Sequence, residues 1–399
     1  MTALPSAAPV RVGIEDLGFA TASNVFPLAA LAEANGVDVG KYHIGIGQEA
    51  MSVPGPDEDV VTMGAAAAAP LLAGRDLSRI RNLLFATESG VDQSKSAGVF
   101  AHALLGLGPA CRVVELKQAC YGATSALQMA AGIVARNPEQ EVLVIASDVA
   151  RYEIGSSGEP TQGAGAVALL ISARPVILEL EPASGLYTED VADFWRPNYL
   201  DTALVDGPLS VSAYLRALEH AWDDYTAQGG HRFERFDHLC YHQPFTKMAV
   251  KAHARLRRHV GAPDDAEAAT AQIADTLPYN RLVGNSYTAS IYIGLLSLLE
   301  RRDDLAGRRI GFFSYGSGCV AEFFGGVVGE GYRTALRPEL TRAAIESRRP
   351  VDHATYLELM RSADYSDGGE HLVPAGAGTA PFRLTGVRAH QRLYGRSAG

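Results

Sequence analysis

The chain has 399 residues, of which 47% are hydrophobic and 8% aromatic, and its formal net charge is -10. That length and apolar content supply one large core or two fused ones and exclude a disordered chain. The acidic balance and the scarcity of rings argue against a nucleic-acid partner, which draws its affinity from clustered Lys and Arg and from stacking aromatics.

The four cysteines, Cys111, Cys120, Cys240 and Cys319, show neither CxxC spacing nor His companions at zinc-site intervals. No disulfide framework and no metal site are expected, and a reducing, cytoplasmic setting is. The first twenty residues, MTALPSAAPVRVGIEDLGFA, lack a basic segment followed by a sustained apolar one, so no signal peptide is expected. The most apolar stretches, residues 65–74 and 290–300, are too short to span lipid and read as buried helices, so no membrane partner is expected.

Taken in order, strand patterns fall at residues 10–18, 81–86, 112–116, 141–146 and 164–171, with Ala-rich helical patterns between them. Residues 120–135 carry small and apolar side chains at helical spacing, and EVLVIASD after them is the continuous apolar run of a buried strand. After residue 174 the order begins again: a strand at VILELEPAS, a Tyr- and Asp-rich excursion over 187–207, and a helix from Ser210 to about Ala227. HLCYHQPF and RRIGFFSYGSG read as strands with polar ends, and residues 285–300 as a helix between them. GAPDDAEAAT (261–270) reads as a surface connection and residues 363–380 as a loop. The pattern predicts an α/β fold with two βα-rich halves, 1–174 and 175–399, as an ancient duplication leaves. Ligands in such folds gather at strand ends.

Cys120 stands in KQACYGAT, between a strand and a small-residue helix. There the positive end of the helix dipole is expected to lower the thiol pKa and favour thiolate. An intracellular cysteine is more often a buried structural one, and Cys111, Cys240 and Cys319 keep that reading. Glu88 closes the strand before SGVDQSK, where partial shielding from water fits a carboxyl group to act as acid or base near neutrality. Taken alone it reads more readily as a solvated loop acid or a helix cap. His242 ends another apolar strand ahead of Pro244, where a neutral imidazole can orient a thioester or steady an oxyanion. A lone His is usually structural, and Lys247 and Lys251, four apart on the next helix, usually mark a solvated face. Here the two lysines are candidates to meet phosphates. Two glycine-bearing turns, VGNSYTAS with Asn285 and SYGSGCVAEFF with Ser317, can bring donors close to a carbonyl oxygen. SYGSGC lacks the pattern of a serine-nucleophile elbow.

Together ATESGVD, KQACYGAT, ASDVARY, GEPTQGAGAVA, YTEDVADFWRP, YHQPFTKM, GNSYTAS and FSYGSG resemble the 3-hydroxy-3-methylglutaryl-CoA synthase family, particularly its bacterial mevalonate-pathway branch. The resemblance runs from about Gly13 to Gly331. It implies a duplicated thiolase-like fold in a homodimer, with Cys120 as nucleophile, Glu88 as general acid/base and His242 positioning the second acyl group. It further implies that Asn285 and Ser317 lie near the acyl carbonyl, that Tyr152, Thr161, Phe194 and Ser210 line the substrate pocket, and that Lys247 and Lys251 lie on the CoA side. The implied reaction joins acetyl-CoA to acetoacetyl-CoA with water, through acetyl-Cys120, and needs no metal or organic cofactor. Two other readings stay open: a polyketide β-branching relative fed by acyl carrier proteins, and a noncatalytic condensing-fold scaffold that binds acyl-CoA.

Overall fold

The structure is a computed structural model that describes residues 10–362, 365, 367–376, 378 and 380–397. Residues 1–9 of the N-terminal segment, and 363, 364, 366, 377 and 379 of the C-terminal loop, lie outside the described residues.

Nine strands form the main sheet: β1 (Gly13–Thr21), β2 (Ile80–Ala86), β3 (Arg112–Leu116), β4 (Glu141–Ala150), β5 (Gly163–Ser172), β6 (Leu178–Thr188), β7 (His238–Tyr241), β8 (Arg309–Gly316) and β9 (Val320–Val328). Their order is β7-β8-β9-β6-β1-β5-β4-β2-β3. On one side of the seam β1 pairs antiparallel with β5, β5 antiparallel with β4, and β4, β2 and β3 run parallel. On the other side β6 pairs antiparallel with β9, β9 antiparallel with β8, and β8 parallel with β7. The two half-sheets meet where Gly13 and Ile14 pair with Glu179 and Leu178.

Helices make this a layered molecule. On the outer face of the first half-sheet lie α1 (Val60–Leu72), begun by a capping box between Asp59 and Thr62, and α2 (Ala97–Leu104). In the middle are α3 (Gly122–Arg136) and, from the second half, α6 (Ser290–Arg301), sharing one core with the inner faces of both half-sheets. Outside the second half-sheet are α4 (Gly207–Ala227) and α5 (Thr246–His259).

This layering explains the apolar run of β4. Val144 and Ala146 pack into the middle layer, whereas Leu143 and Ile145 face α1 on the other side, so neither face meets water. It also explains α6, whose residues from Ser290 to Leu299 are all buried.

The boundaries of β3 agree with the sequence reading, while β4 continues to Ala150 and so carries Asp148 inside the strand rather than in a turn. GAPDDAEAAT is not all connection: Asp265 accepts from the Ala268 N–H and begins a short helix, Ala266–Ala271. The C-terminal segment adds a small sheet, His371–Leu372 with Phe382–Arg388 and Gln391–Arg396, which the sequence reading left out. Among the described residues, no helix is long and apolar enough to cross a membrane.

Candidate active site

The ends of β2, β3, β7 and β8 converge, as parallel strands place them. Just past β2 stands Glu88. Past β3 the chain turns through Ala119, held at φ +43°, to present Cys120 two residues ahead of α3. His242 follows β7, and Ser317 follows β8 in its hairpin with β9. The Cys120 turn lies so close to the β8 end that a Cβ on Gly316 would stand 2.5 Å from the Gln118 carbonyl oxygen. Only glycine permits that approach. The Tyr121 hydroxyl and the Gln128 amide donate to the buried Glu322 carboxylate at 2.7 and 2.6 Å, tying the turn and α3 to the second half.

The Cys120 thiol donates to Glu88 Oε1 at 3.0 Å. Burial first, and then the negative charge of Asp148, push the Glu88 carboxyl up to about 8. Burial and the Glu88 carboxyl push the Cys120 thiol well above its usual value. The expected thiolate favoured by the helix dipole is therefore corrected. Cys120 is buried beside a carboxyl group and precedes the helix by two residues, and desolvation plus like charge outweigh a partial dipole.

Asp148 was quoted in the sequence reading only as part of a motif, yet it organises this corner. It accepts from the backbone N–H groups of Glu88, Ser89 and Thr288 and from the hydroxyls of Thr87, Ser89 and Thr288. Three of those donors are backbone amides that cannot reverse, so the carboxylate form suits the site.

His242 is buried, and desolvation pushes its imidazole down to about 3, so it is neutral at physiological pH. Its Nδ1 lies 2.7 Å from Ser290 Oγ. That hydroxyl already accepts the Gln243 N–H at 3.2 Å, and among the described residues Nδ1 is the acceptor left for its proton. Ser290 thus fixes the tautomer with hydrogen on Nε2, a donor for a carbonyl oxygen. Ser290→Ala is expected to free the His242 ring to take either tautomer, since it removes one hydrogen bond to a buried group, worth roughly 1–2 kcal/mol. Nitrogen NMR of His242 should report a mixture of tautomers where the parent shows one.

A cavity of about 150 Å³ joins these groups. It is lined by Cys120 and His242, by Asn285 and Ser317, and by Tyr152, Thr161, Phe194 and Ser210, so every pocket residue expected from the sequence except Glu88 borders one space. Glu88 reaches Cys120 from behind, lining two further cavities. Asn285 accepts the Tyr287 N–H through Oδ1 at 2.9 Å, which leaves its amide N–H groups for other acceptors. Neither Lys247 nor Lys251 borders the cavity. Lys247 is half-buried on the first turn of α5, and the exposed Lys251 lies over the ring of Phe245, which does line it. Tyr214 and Tyr287 also border the cavity and were missed by sequence reading, since an aromatic at helical spacing reads as core.

Residues 8–175 match the hydroxymethylglutaryl-coenzyme A synthase N-terminal family, and residues 177–260 and 262–364 match the hydroxymethylglutaryl-coenzyme A synthase C-terminal family. Hydroxymethylglutaryl-CoA synthase of Enterococcus faecalis is 44% identical over 349 residues, 87% of this chain and 91% of that one. The polyketide-biosynthesis 3-hydroxy-3-methylglutaryl-ACP synthase of Bacillus subtilis is 34% identical over 80% of each chain. Among solved structures, an HMG-CoA synthase complexed with CoA superimposes with a TM-score of 0.91 at 37% identity, covering 97% of this chain and 100% of that one. The curacin-pathway HMG synthase in complex with acetyl donor-ACP gives 0.91 at 32% identity over the same shares. With a matched sequence over nearly its whole length and a matched, thiolase-like fold, the chain belongs to the hydroxymethylglutaryl-CoA synthase family.

Proposed function

We propose that the chain condenses acetyl-CoA with acetoacetyl-CoA and water to give 3-hydroxy-3-methylglutaryl-CoA and CoA, with Cys120, Glu88 and His242 as its catalytic residues. The observation that carries this reading is the Cys120 thiol, 3.0 Å from the Glu88 carboxyl and sharing a cavity with a neutral, tautomer-fixed His242.

The thiol attacks the acetyl carbonyl as its proton passes to Glu88, and the departing CoA sulfur takes that proton away. Glu88, again a carboxylate, removes a proton from the acetyl methyl group. The resulting enolate attacks C3 of acetoacetyl-CoA, whose carbonyl accepts a hydrogen bond from His242 Nε2, and the proton on Glu88 neutralises the new alkoxide. Water then cleaves the thioester to Cys120. Asn285 and Ser317 supply polar groups beside the acyl carbonyls, Tyr152, Thr161, Phe194 and Ser210 shape the pocket, and Lys247 and Lys251 meet CoA phosphates. The thioester itself acidifies the methyl protons, so the reaction calls for no metal or organic cofactor.

Free CoA esters are the favoured substrates, because identity to the CoA-dependent relative is 44% against 34% for the ACP-dependent one. Supplying the same acyl groups on CoA and on a carrier protein tests this: product should form from the CoA esters, and turnover restricted to the carrier-bound groups overturns the reading. Counted outward from the seam, β1-β5-β4-β2 in the first half and β6-β9-β8-β7 in the second follow the same order, which supports a duplication divided near residue 174, with β3 extra in the first half. The unpaired edge of β3, with Val114 exposed, supports pairing with a second copy in a cytoplasmic homodimer serving isoprenoid synthesis through mevalonate.

A further inference from the structure

The buried wall of the acyl cavity is built from two separate hydrophobic cores. Tyr152, Phe194 and Tyr287 pack around Cys120, with the Phe194 ring centroid 5.9 Å from each of the other two. On the other side Tyr214, Met248 and Tyr315 line the cavity from the core between the second half-sheet and its outer helices, α4 and α5. His242 belongs to this second side: the Tyr214 hydroxyl donates to its carbonyl oxygen at 2.8 Å, and the two ring centroids lie 6.4 Å apart. The open side is rimmed by exposed Ser157, Val205 and Gly207.

On the proposed function, the two walls meet different acyl groups. The donor acetyl group sits on Cys120, against the first wall. The acceptor keeps its CoA thioester toward the open side and its C3 carbonyl at His242 Nε2. Its C4 methyl, one bond further from CoA, then points to the closed end made by the second wall. That end is apolar although two of its three residues are tyrosines. The Tyr214 hydroxyl is spent on the His242 carbonyl, and the Tyr315 hydroxyl donates to the buried Asp193 carboxylate at 2.7 Å, which leaves ring carbon and a thioether to face the substrate. The same hydrogen bonds hold the two rings, whose centroids are 4.9 Å apart. Met248, buried in the first turn of α5, carries no hydroxyl to be tied, and its unbranched side chain fills the space the fixed rings leave.

We propose that Met248 sets the length of the second acyl substrate: its side chain closes the cavity just beyond the carbonyl that His242 polarises and confines the enzyme to a methyl ketone. Selection of the donor is left to the wall around Cys120, so the two substrates are measured by different cores.

The test compares kcat/KM for condensation with acetoacetyl-CoA and with 3-oxohexanoyl-CoA, which adds two carbons beyond the ketone. The parent should prefer the shorter chain by about a hundredfold or more, since each methylene that a close apolar pocket refuses changes kcat/KM roughly tenfold to two-hundredfold. Met248→Ala removes three heavy atoms, room for the two added carbons, and should move that preference about tenfold or more toward the longer chain. In the same variant the preference of Cys120 for an acetyl over a propionyl group on transfer from CoA should change by less than about twofold, because its wall is untouched. An acceptor preference that moves by less than about twofold overturns the proposal, as does a donor preference that loosens in step with it, the mark of a core merely slackened. A parent that uses both ketones alike overturns it too. Met248→Val, a smaller cut that gives up less packing, should move the acceptor preference in the same direction by less. It decides the matter if the Ala variant loses the near-ultraviolet circular dichroism of the parent, and no movement in it then counts against Met248. Failure of the parent to acetylate Cys120 or to condense with acetoacetyl-CoA instead removes the proposed function on which this inference rests.

Discussion

Cys120→Ser is expected to retain the fold and lose acetyl transfer, with no acetyl mass gained on exposure to acetyl-CoA and no condensation product. The exchange is close to isosteric at a site only 6% exposed, so packing with Tyr152, Phe194 and Tyr287 should survive. The chemistry does not. Even in the parent the thiol is held protonated by burial and by its carboxyl neighbour, and it becomes a nucleophile only as its proton passes to Glu88. A serine hydroxyl is several pK units less acidic than a thiol, so the same carboxyl group is far too weak a base to activate it. Losses from removing a covalent nucleophile reach on the order of a millionfold where they have been dissected. Intact-protein mass spectrometry and near-ultraviolet circular dichroism on one preparation separate lost chemistry from lost fold. An adduct that forms on another residue at the parent rate would remove Cys120 from the centre of the mechanism.

What the sequence could and could not disclose follows from which forces act locally. Cys120 could be placed between a strand and a helix because RVVELK and the small-residue run after it carry different periodicities. Its ionisation could not be placed, since that depends on a carboxyl group 32 positions away brought within 3.0 Å by the parallel pairing of β2 and β3. Dipole reasoning alone gave the wrong direction. His242 was legible as a strand-end histidine, whereas the tautomer that makes it useful is set by Ser290, 48 positions on, the first residue of a largely apolar helix. A hydroxyl in such a run, buried on a layer facing a strand-end histidine, is a signal that could have been read. Asp148 was hidden for a different reason: an acid next to a strand end reads as a turn, and nothing in ASDVARY tells of six donors converging on it. The C-terminal hairpin was the plainest omission. FRLTGVR and QRLYGR alternate around a two-residue connection, Ala389 and His390, which take the positive φ that such a turn requires.

Glu88→Gln should divide the reaction where Cys120→Ser stops it altogether. The amide keeps the shape of the side chain and can accept the thiol hydrogen bond, but it cannot take a proton. Condensation of a preformed acetyl-enzyme with acetoacetyl-CoA should fall by about a hundredfold to ten-thousandfold, the usual cost of a lost general base. Acetylation should be slowed less, because thiolate formed in solvent equilibrium at high pH can still attack. The pH profile supplies the sharper evidence. In the parent the carboxyl group is raised to about 8, so its base form is a minority at pH 7 and grows with pH until the carboxyl group is titrated. Acetylation of Cys120 removes the thiol donor, one of the influences that lower Glu88, and so displaces the group further upward. Single-turnover condensation should therefore climb close to tenfold per pH unit below pH 7 and still be rising at pH 8, whereas the Gln variant should show a low rate without that rise. A parent profile already flat between pH 6 and pH 8 would mean that the proton leaving the acetyl methyl group goes to a group other than Glu88.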